Sequence, residues 1–180
     1  MNKKGFTIIE ILIVTVVIGM MIPVVFTVMF SVIRQEARVF ALNLVKTQGD
    51  FVLNSMKVTI RNSAISTHSA NPGTSANEVC TSVSAVPAAQ NPLVLMDRDG
   101  NSFYYSVTSG AVASNSSVLA EPTALTNSRV SITNFTMSCN KPTSSSSPVV
   151  TVSYTVNYTT TAGQSPATLD YQTKIKLRNQ

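Results

Sequence analysis

The sequence predicts an α+β fold: a long N-terminal α-helix laid against a head of antiparallel β-sheet. Three observations predict it. From Ile11 to Ile33 there is no charged residue. Beyond Ile33, Ala37, Phe40, Leu44, Phe51 and Ser55 recur at helical steps, with Ala41, Val45, Val52 and Met56 widening the stripe. Arg34, Arg38, Lys46, Asp50, Lys57 and Arg61 fall to one side or the flanks, the pattern of an amphipathic helix packed on a domain. Finally, Val150, Val152, Tyr154, Val156 and Tyr158 alternate with polar residues, and Leu169, Tyr171, Thr173, Ile175 and Leu177 do the same. Both read as antiparallel strands with one wet face.

At the N-terminus, Lys3, Lys4 and Gly5 precede an apolar run from Phe6 to Ile33 in which Glu10 is the only charge. The uncharged part alone covers about 34 Å as a helix, enough for about 30 Å of hydrocarbon. A carboxylate inside a bilayer costs roughly 2.5–3.5 kcal/mol on insertion scales, so Glu10 is a functional candidate. It needs a cation, and the run supplies none. A cut after Gly5 would create one, because the new ammonium of Phe6 would lie one helical turn away, or beside the Glu10 of a neighbouring chain. Two blander readings compete: a signal anchor that carries one glutamate, and a secretory signal peptide. The second has its parts out of order, since its cleavage site should follow a shorter apolar segment of about 7–15 residues.

Pro23 removes its own N–H and crowds the carbonyl of Gly19, so the weakest point of the helix is expected between Gly19 and Pro23. Gln48-Gly49 is expected as a second soft spot. Asn71-Pro72-Gly73 is a turn signal, and Ser63–Gly73 must end the helix. Ser66–Pro92 reads as a long connection holding Cys80. Leu93–Met96, the turn Asp97-Arg98-Asp99-Gly100-Asn101 and Phe103–Val107 then predict a hairpin. In Arg129–Cys139 the apolar residues switch face between Ile132 and Phe135, which requires a bulge near Thr133-Asn134. Thr143–Pro148 is a Ser-rich loop. The chain thus divides into residues 1–5, a membrane-length helix 6–33, its amphipathic continuation 34–62, and a β-rich head 63–180.

The formal charge of +5 falls to +3 without Lys3 and Lys4, and the remaining cations are scattered. Nucleic-acid binding is not supported by that distribution. Lys3 and Lys4 favour a cytoplasmic N-terminus, which puts the head outside. In that compartment Cys80 and Cys139 fit a disulfide, the alternative being two buried thiols. Asp97, Asp99 and Asn101 offer the oxygens of a partial calcium loop. No bidentate acid follows at the required spacing, and a polar hairpin turn is the preferred reading. His68 reads as a solvated loop residue. The two cysteines are too far apart for a zinc knuckle, and no nucleophile–base set or Gly-rich phosphate loop is present. Neither an enzyme nor a cofactor is expected. Asn115, Asn134 and Asn157 begin glycosylation sequons of the kind a Ser/Thr-rich chain produces by chance.

Gly5-Phe6-Thr7-Ile8-Ile9-Glu10 followed by an apolar helix resembles the prepilin signature of bacterial type IV pilins and of the pseudopilins of type II secretion. The resemblance implies a ladle-like fold, cleavage by a prepilin peptidase between Gly5 and Phe6, and N-methylation of Phe6. It also implies that Glu10 pairs with the N-terminal ammonium of a neighbouring subunit during assembly on a membrane platform. A glycine at the place of Gly19 is familiar in such proteins, whereas their proline usually comes a few residues later than Pro23. Some pseudopilins bind calcium. The segment Lys174–Asn179 and the helix end near Ile60-Arg61 look similar to minor pilins and J-type pseudopilins. The implied role is a filament subunit at the cell surface or in the periplasm. The alternatives are a major pilin, or a signal-anchored extracellular binding domain that never polymerises.

Overall fold

The computed structural model describes residues 5, 7–83, 88–90, 92–159 and 167–178. Residues 1–4 and Phe6 lie outside the described residues, and with them the cleavage and methylation expected at Phe6. Among the described residues one α-helix, α1 (Ile8–Ser63), precedes ten strands and a single 3-10 turn (Ser75–Asn77): β1 (Ser66–His68), β2 (Glu78–Val79), β3 (Ala88–Gln90), β4 (Val94–Met96), β5 (Ser102–Thr108), β6 (Ala111–Ser116), β7 (Thr123–Ala124), β8 (Val130–Asn140), β9 (Val149–Tyr158) and β10 (Thr168–Lys176). The expected α+β class, a long helix on antiparallel sheet, is what the chain adopts.

The head has two sheets rather than one. A six-stranded sheet runs β2-β1-β4-β5-β6-β7 and a four-stranded sheet runs β10-β9-β8-β3, with every pairing antiparallel. The helix lies mainly on β8, β9 and β10. Period-2 patterning builds β9, where Val150, Val152, Tyr154 and Val156 are all buried. It also sets the nine-pair register with β10, from Thr168↔Asn157 to Lys176↔Val149. In β8 the register advances three residues from Thr133 to Thr136 while β9 retreats two, and Asn134 has φ +52°. One extra residue is therefore accommodated at the expected bulge, which turns Met137 and Cys139 inward after Ile132.

The 93–107 hairpin forms as expected, with Leu95 facing Phe103. Ser66–Pro92 is more structured than the plain connection expected of it. Thr67 pairs with both Val79 and Leu95, and this places β1 inside the six-stranded sheet. β6 had no signal of its own. Its turn, with Ser109 at φ +52° and Gly110 at φ +78°, has the positive angles that two-residue hairpins need.

The helix crosses Gly19 and Pro23 without interruption, so no break is present there. The proline costs α1 one N–H donor, and the turns on either side keep their own bonds. The buried row of α1 is Ala41, Val45, Gly49, Val52, Met56 and Ile60. The expected centre of the stripe was one position off: Phe40 and Phe51 are each 55% exposed, while Ala41 and Val52 are buried. Small residues, Ala41 and Gly49, stand where the helix approaches the sheet most closely, and Met56 and Ile60 fill the core further along.

Candidate functional site

The site with the sharpest chemistry is the free portion of α1. Every described residue from Thr7 to Phe40 is exposed. The window that could cross a membrane has a mean hydropathy of 2.8. Apolar side chains left without protein partners over that length satisfy the requirement for a lipid-facing helix, whose backbone bonds are all internal. Two of its hydroxyls are satisfied internally as well. Thr15 Oγ1 donates to the carbonyl of Leu12 at 2.9 Å, and Thr27 Oγ1 donates to that of Pro23 at 2.8 Å.

Glu10 stands in the first turn of this helix. Thr7 is the N-cap and its backbone N–H points to Glu10 Oε2 at 3.5 Å, the reciprocal half of a capping box. A carboxylate there is favoured by the positive end of the helix dipole. Gly5 lies just outside the helix, exposed, with nothing within 4 Å of where a Cβ would sit. Gly19 is equally open.

Lower on the helix a second arrangement fastens the head, and sequence reasoning missed it. Tyr154 of β9 and Tyr171 of β10 are cross-strand partners whose rings stack with centroids 5.4 Å apart. The Tyr154 hydroxyl donates to the carbonyl of Gly49 at 2.8 Å, and that of Tyr171 to the carbonyl of Lys46 at 3.1 Å. A Cβ at position 49 would overlap the Tyr171 ring. Gly49 is therefore a notch for the tyrosines rather than the soft spot expected. Burial pushes the Tyr154 hydroxyl well above the ordinary tyrosine range, and the negative charges of an ionised Tyr171 and of Asp50 push the same way. The available signal was a helical glycine opposite strands that each carry a tyrosine on the inward row.

Cys80 and Cys139 are bonded. Cys80 follows β2 of one sheet and Cys139 belongs to β8 of the other, so the bond ties the two sheets together. Thr67 Oγ1 sits over it, 3.4 Å from Cys139 Sγ and 2.9 Å from the carbonyl of Val79.

The Asp97–Asn101 turn spends its acceptors on itself. Asp97 Oδ1 accepts from the amides of Asp99 and Asn101, each at 2.9 Å, and Oδ2 accepts from Asn101 Nδ2 at 3.3 Å. Desolvation raises the pKa of Asp97 more than any single hydrogen bond lowers it, but the hydrogen bonds from Asn101, Asp99 and Gly100 together outweigh it and hold the carboxyl below the ordinary value. This is a self-capped hairpin turn.

His68, expected in solvent, is only 3% exposed. Nδ1 faces the carbonyl of Thr74 and Oδ1 of Asn77, both at 3.0 Å, and Nε2 faces Ser66 Oγ at 2.9 Å. Two acceptors at Nδ1 require the proton there. Gly73 lets this loop close, since a Cβ would stand 2.9 Å from His68 Cδ2. The histidine thus organises the turn between β1 and β2, with a polar partner on each ring nitrogen.

Together these features make a long apolar N-terminal helix packed on antiparallel sheets, a pilin-like architecture. Comparison with protein-family models, with curated proteins and with solved structures finds no match for the chain.

Proposed function

We propose that the chain is a structural subunit of a type IV pilus-like filament, of the minor-pilin or pseudopilin kind, with no catalytic role of its own. In this reading residues 8–33 anchor it in a membrane, with Lys3 and Lys4 inside and the head outside. A prepilin peptidase cuts between Gly5 and Phe6, and Phe6 carries the new, methylated ammonium. The membrane platform then draws the helix into a filament. The observation that carries the reading is Glu10: the only carboxylate between Ile8 and Ile33 of the exposed helix, one turn from where that ammonium would arise. In a filament the apolar face trades lipid for neighbouring helices, and Glu10 meets a neighbour's ammonium. A pair of that kind chiefly penalises wrong register, because a misplaced subunit leaves one charge buried alone. Head-to-tail association of this sort does not close on itself.

Glu10→Gln is the test. Glutamine also serves at the third position of a capping box, so the helix start survives while the charge is lost. Membrane level and cleavage should stay near normal, and incorporation into filaments should fall by about tenfold or more, which corresponds to ~1.4 kcal/mol of lost pairing. Wild-type incorporation from an equal membrane pool would instead leave a membrane-anchored β-domain that does not use the pair.

A further inference from the structure

Arg34 is the first charge beyond the uncharged stretch Ile11–Ile33, and Arg38 stands one helical turn further on. Both are exposed and share one face of α1 with Thr27, Phe30, Ser31 and Gln35. Together these six residues line a shallow groove of about 560 Å³, and no Asp or Glu is among the described residues that line it. Glu36 lies between the two arginines in sequence, but at about 100° per residue it falls on the opposite side of the helix. There it lines a different recess, with Tyr158 of the head. In the other direction the arginine row continues at helical steps into Ala41 and Val45, which are buried. The two guanidiniums therefore lie directly below the docked head.

We propose that Arg34 and Arg38 bind the phosphate headgroup of an anionic phospholipid in the outer leaflet of the anchoring membrane, beneath the head. The inference rests on the reading of residues 8–33 as the anchor. Depth supports it first. The uncharged stretch covers about 34 Å against about 30 Å of hydrocarbon, so Arg34 emerges among the headgroups and Arg38 stands about 6 Å above it. Tyr158 marks the same level independently. It is half-buried and lines a recess with Ile33, Ala37 and Phe40, at the height where tyrosine is enriched in membrane proteins.

The chemistry of the groove matches an amphiphile. Its upper end carries two planar guanidiniums, which pair with phosphate oxygens through two parallel N–H donors each. Its lower end presents the Phe30 ring to the first part of an acyl chain, with the polar Ser31 between the two ends. Cations are normally in excess on the cytoplasmic flank of a span, and a phosphate partner accounts for two of them on the outer flank. A second copy of the chain fits less well. At this depth it offers one acid, Glu36, a single carboxylate for two guanidiniums.

Selectivity is measured with the full-length protein in phosphatidylcholine vesicles that carry a trace of spin-labelled phosphatidylglycerol or spin-labelled phosphatidylcholine. The readout is the motionally restricted share of each probe. Phosphatidylglycerol should be preferred by about fivefold, and Arg34→Gln with Arg38→Gln should remove most of that preference. Lys57→Gln with Arg61→Gln removes the same charge about 35 Å further along the helix and should leave the preference intact. Lys3→Gln with Lys4→Gln reports the inner leaflet and should cost less than the arginine pair. A preference that is absent in the wild type, survives in the arginine variant, or falls equally in all three variants would overturn the site. Arginine-dependent cross-linking between copies in pure phosphatidylcholine, without lipid preference, would overturn it in favour of Glu36 of a second copy. Flotation with the vesicles tests the anchor separately. Protein that floats without selectivity loses only the lipid site, and protein that does not float loses the anchor as well.

Discussion

The two portions of α1 share one backbone and differ in almost everything around it. From Ile8 to Phe40 every residue is exposed, whereas from Ala41 onward a row of small and medium residues is sealed against the four-stranded sheet. In the first portion large residues such as Phe26 and Phe30 stand open, and in the second a glycine sits in the middle of the buried row, under the Tyr171 ring. A helix docked on a sheet is selected for close approach, so it buries Ala41 and Gly49 and leaves Phe51 outside. A helix meant for lipid has no fixed partner, and bulk on every side is what it needs. Size alone therefore misreads which face is core.

That contrast can be broken most directly by truncating one large side chain in each portion. Met56→Ala should destabilise the head by about 2–5 kcal/mol, because Met56 is fully buried and its removal leaves a cavity. Phe26→Ala removes a larger side chain from an exposed position, and head stability should change by no more than about 0.5 kcal/mol. All five tyrosines lie in the head, so near-ultraviolet circular dichroism of the full chain in detergent follows the unfolding of that part alone. Comparable losses in the two variants would mean that the free portion of the helix also supports the head.

The same substitution should give different outcomes at two glycines. Gly→Ala in an open helix position gains roughly 1 kcal/mol of helix propensity. At Gly19 nothing stands within 4 Å of the added methyl, so the head's unfolding midpoint should not fall. At Gly49 the methyl overlaps Tyr171, which cannot swing aside without leaving the Tyr154 ring and the Lys46 carbonyl. Overpacking of this kind costs about 1–3 kcal/mol and should outweigh the propensity gain. A stabilised Gly49→Ala protein would mean that the tyrosine pair yields easily, and that the notch is not what sets the docking distance.

Much of this organisation was legible in the sequence, and the gaps have physical causes. The helix, the 93–107 hairpin, β9, β10 and the β8 bulge all leave a periodic trace, because one face of each meets the core. β1 leaves none: Ser66, Thr67 and His68 are polar, and their burial is satisfied by hydrogen bonds to Asn77, Thr74 and Val79, which only the folded loop supplies. β6 is built of Ala, Ser, Asn and one Val, residues too small or too polar to mark a face. The disulfide followed from compartment and number, not from spacing. Glu10 was the reverse case, a residue whose meaning lies in local context and which needed no fold to be noticed.

The smallest effect, and the most specific to the docked portion, concerns the Tyr154 hydroxyl. Tyr154→Phe keeps the ring stacked on Tyr171 and removes only the bond to the Gly49 carbonyl, so near neutral pH it should cost about 1 kcal/mol. The pH dependence reads out the burial of that hydroxyl. In the folded protein the pKa of Tyr154 is raised above the ordinary value of 10.0 by burial, and then by the charges of Tyr171 and Asp50. The unfolded chain has no such shift, so above pH 10 it releases this proton before the folded form does. The contribution is whole below that point and lost as pH climbs toward the folded value. Wild-type head stability should therefore decline above pH 10, and so should that of Tyr154→Phe, because Tyr105 and Tyr171 are raised too. The decline should be shallower in the variant, which has one fewer raised tyrosine. Urea midpoints of the two proteins should consequently draw together between neutral pH and strongly alkaline pH. Curves that stay parallel throughout would show that Tyr154 ionises alike in both states, and that the hydroxyl reaches solvent instead of the helix.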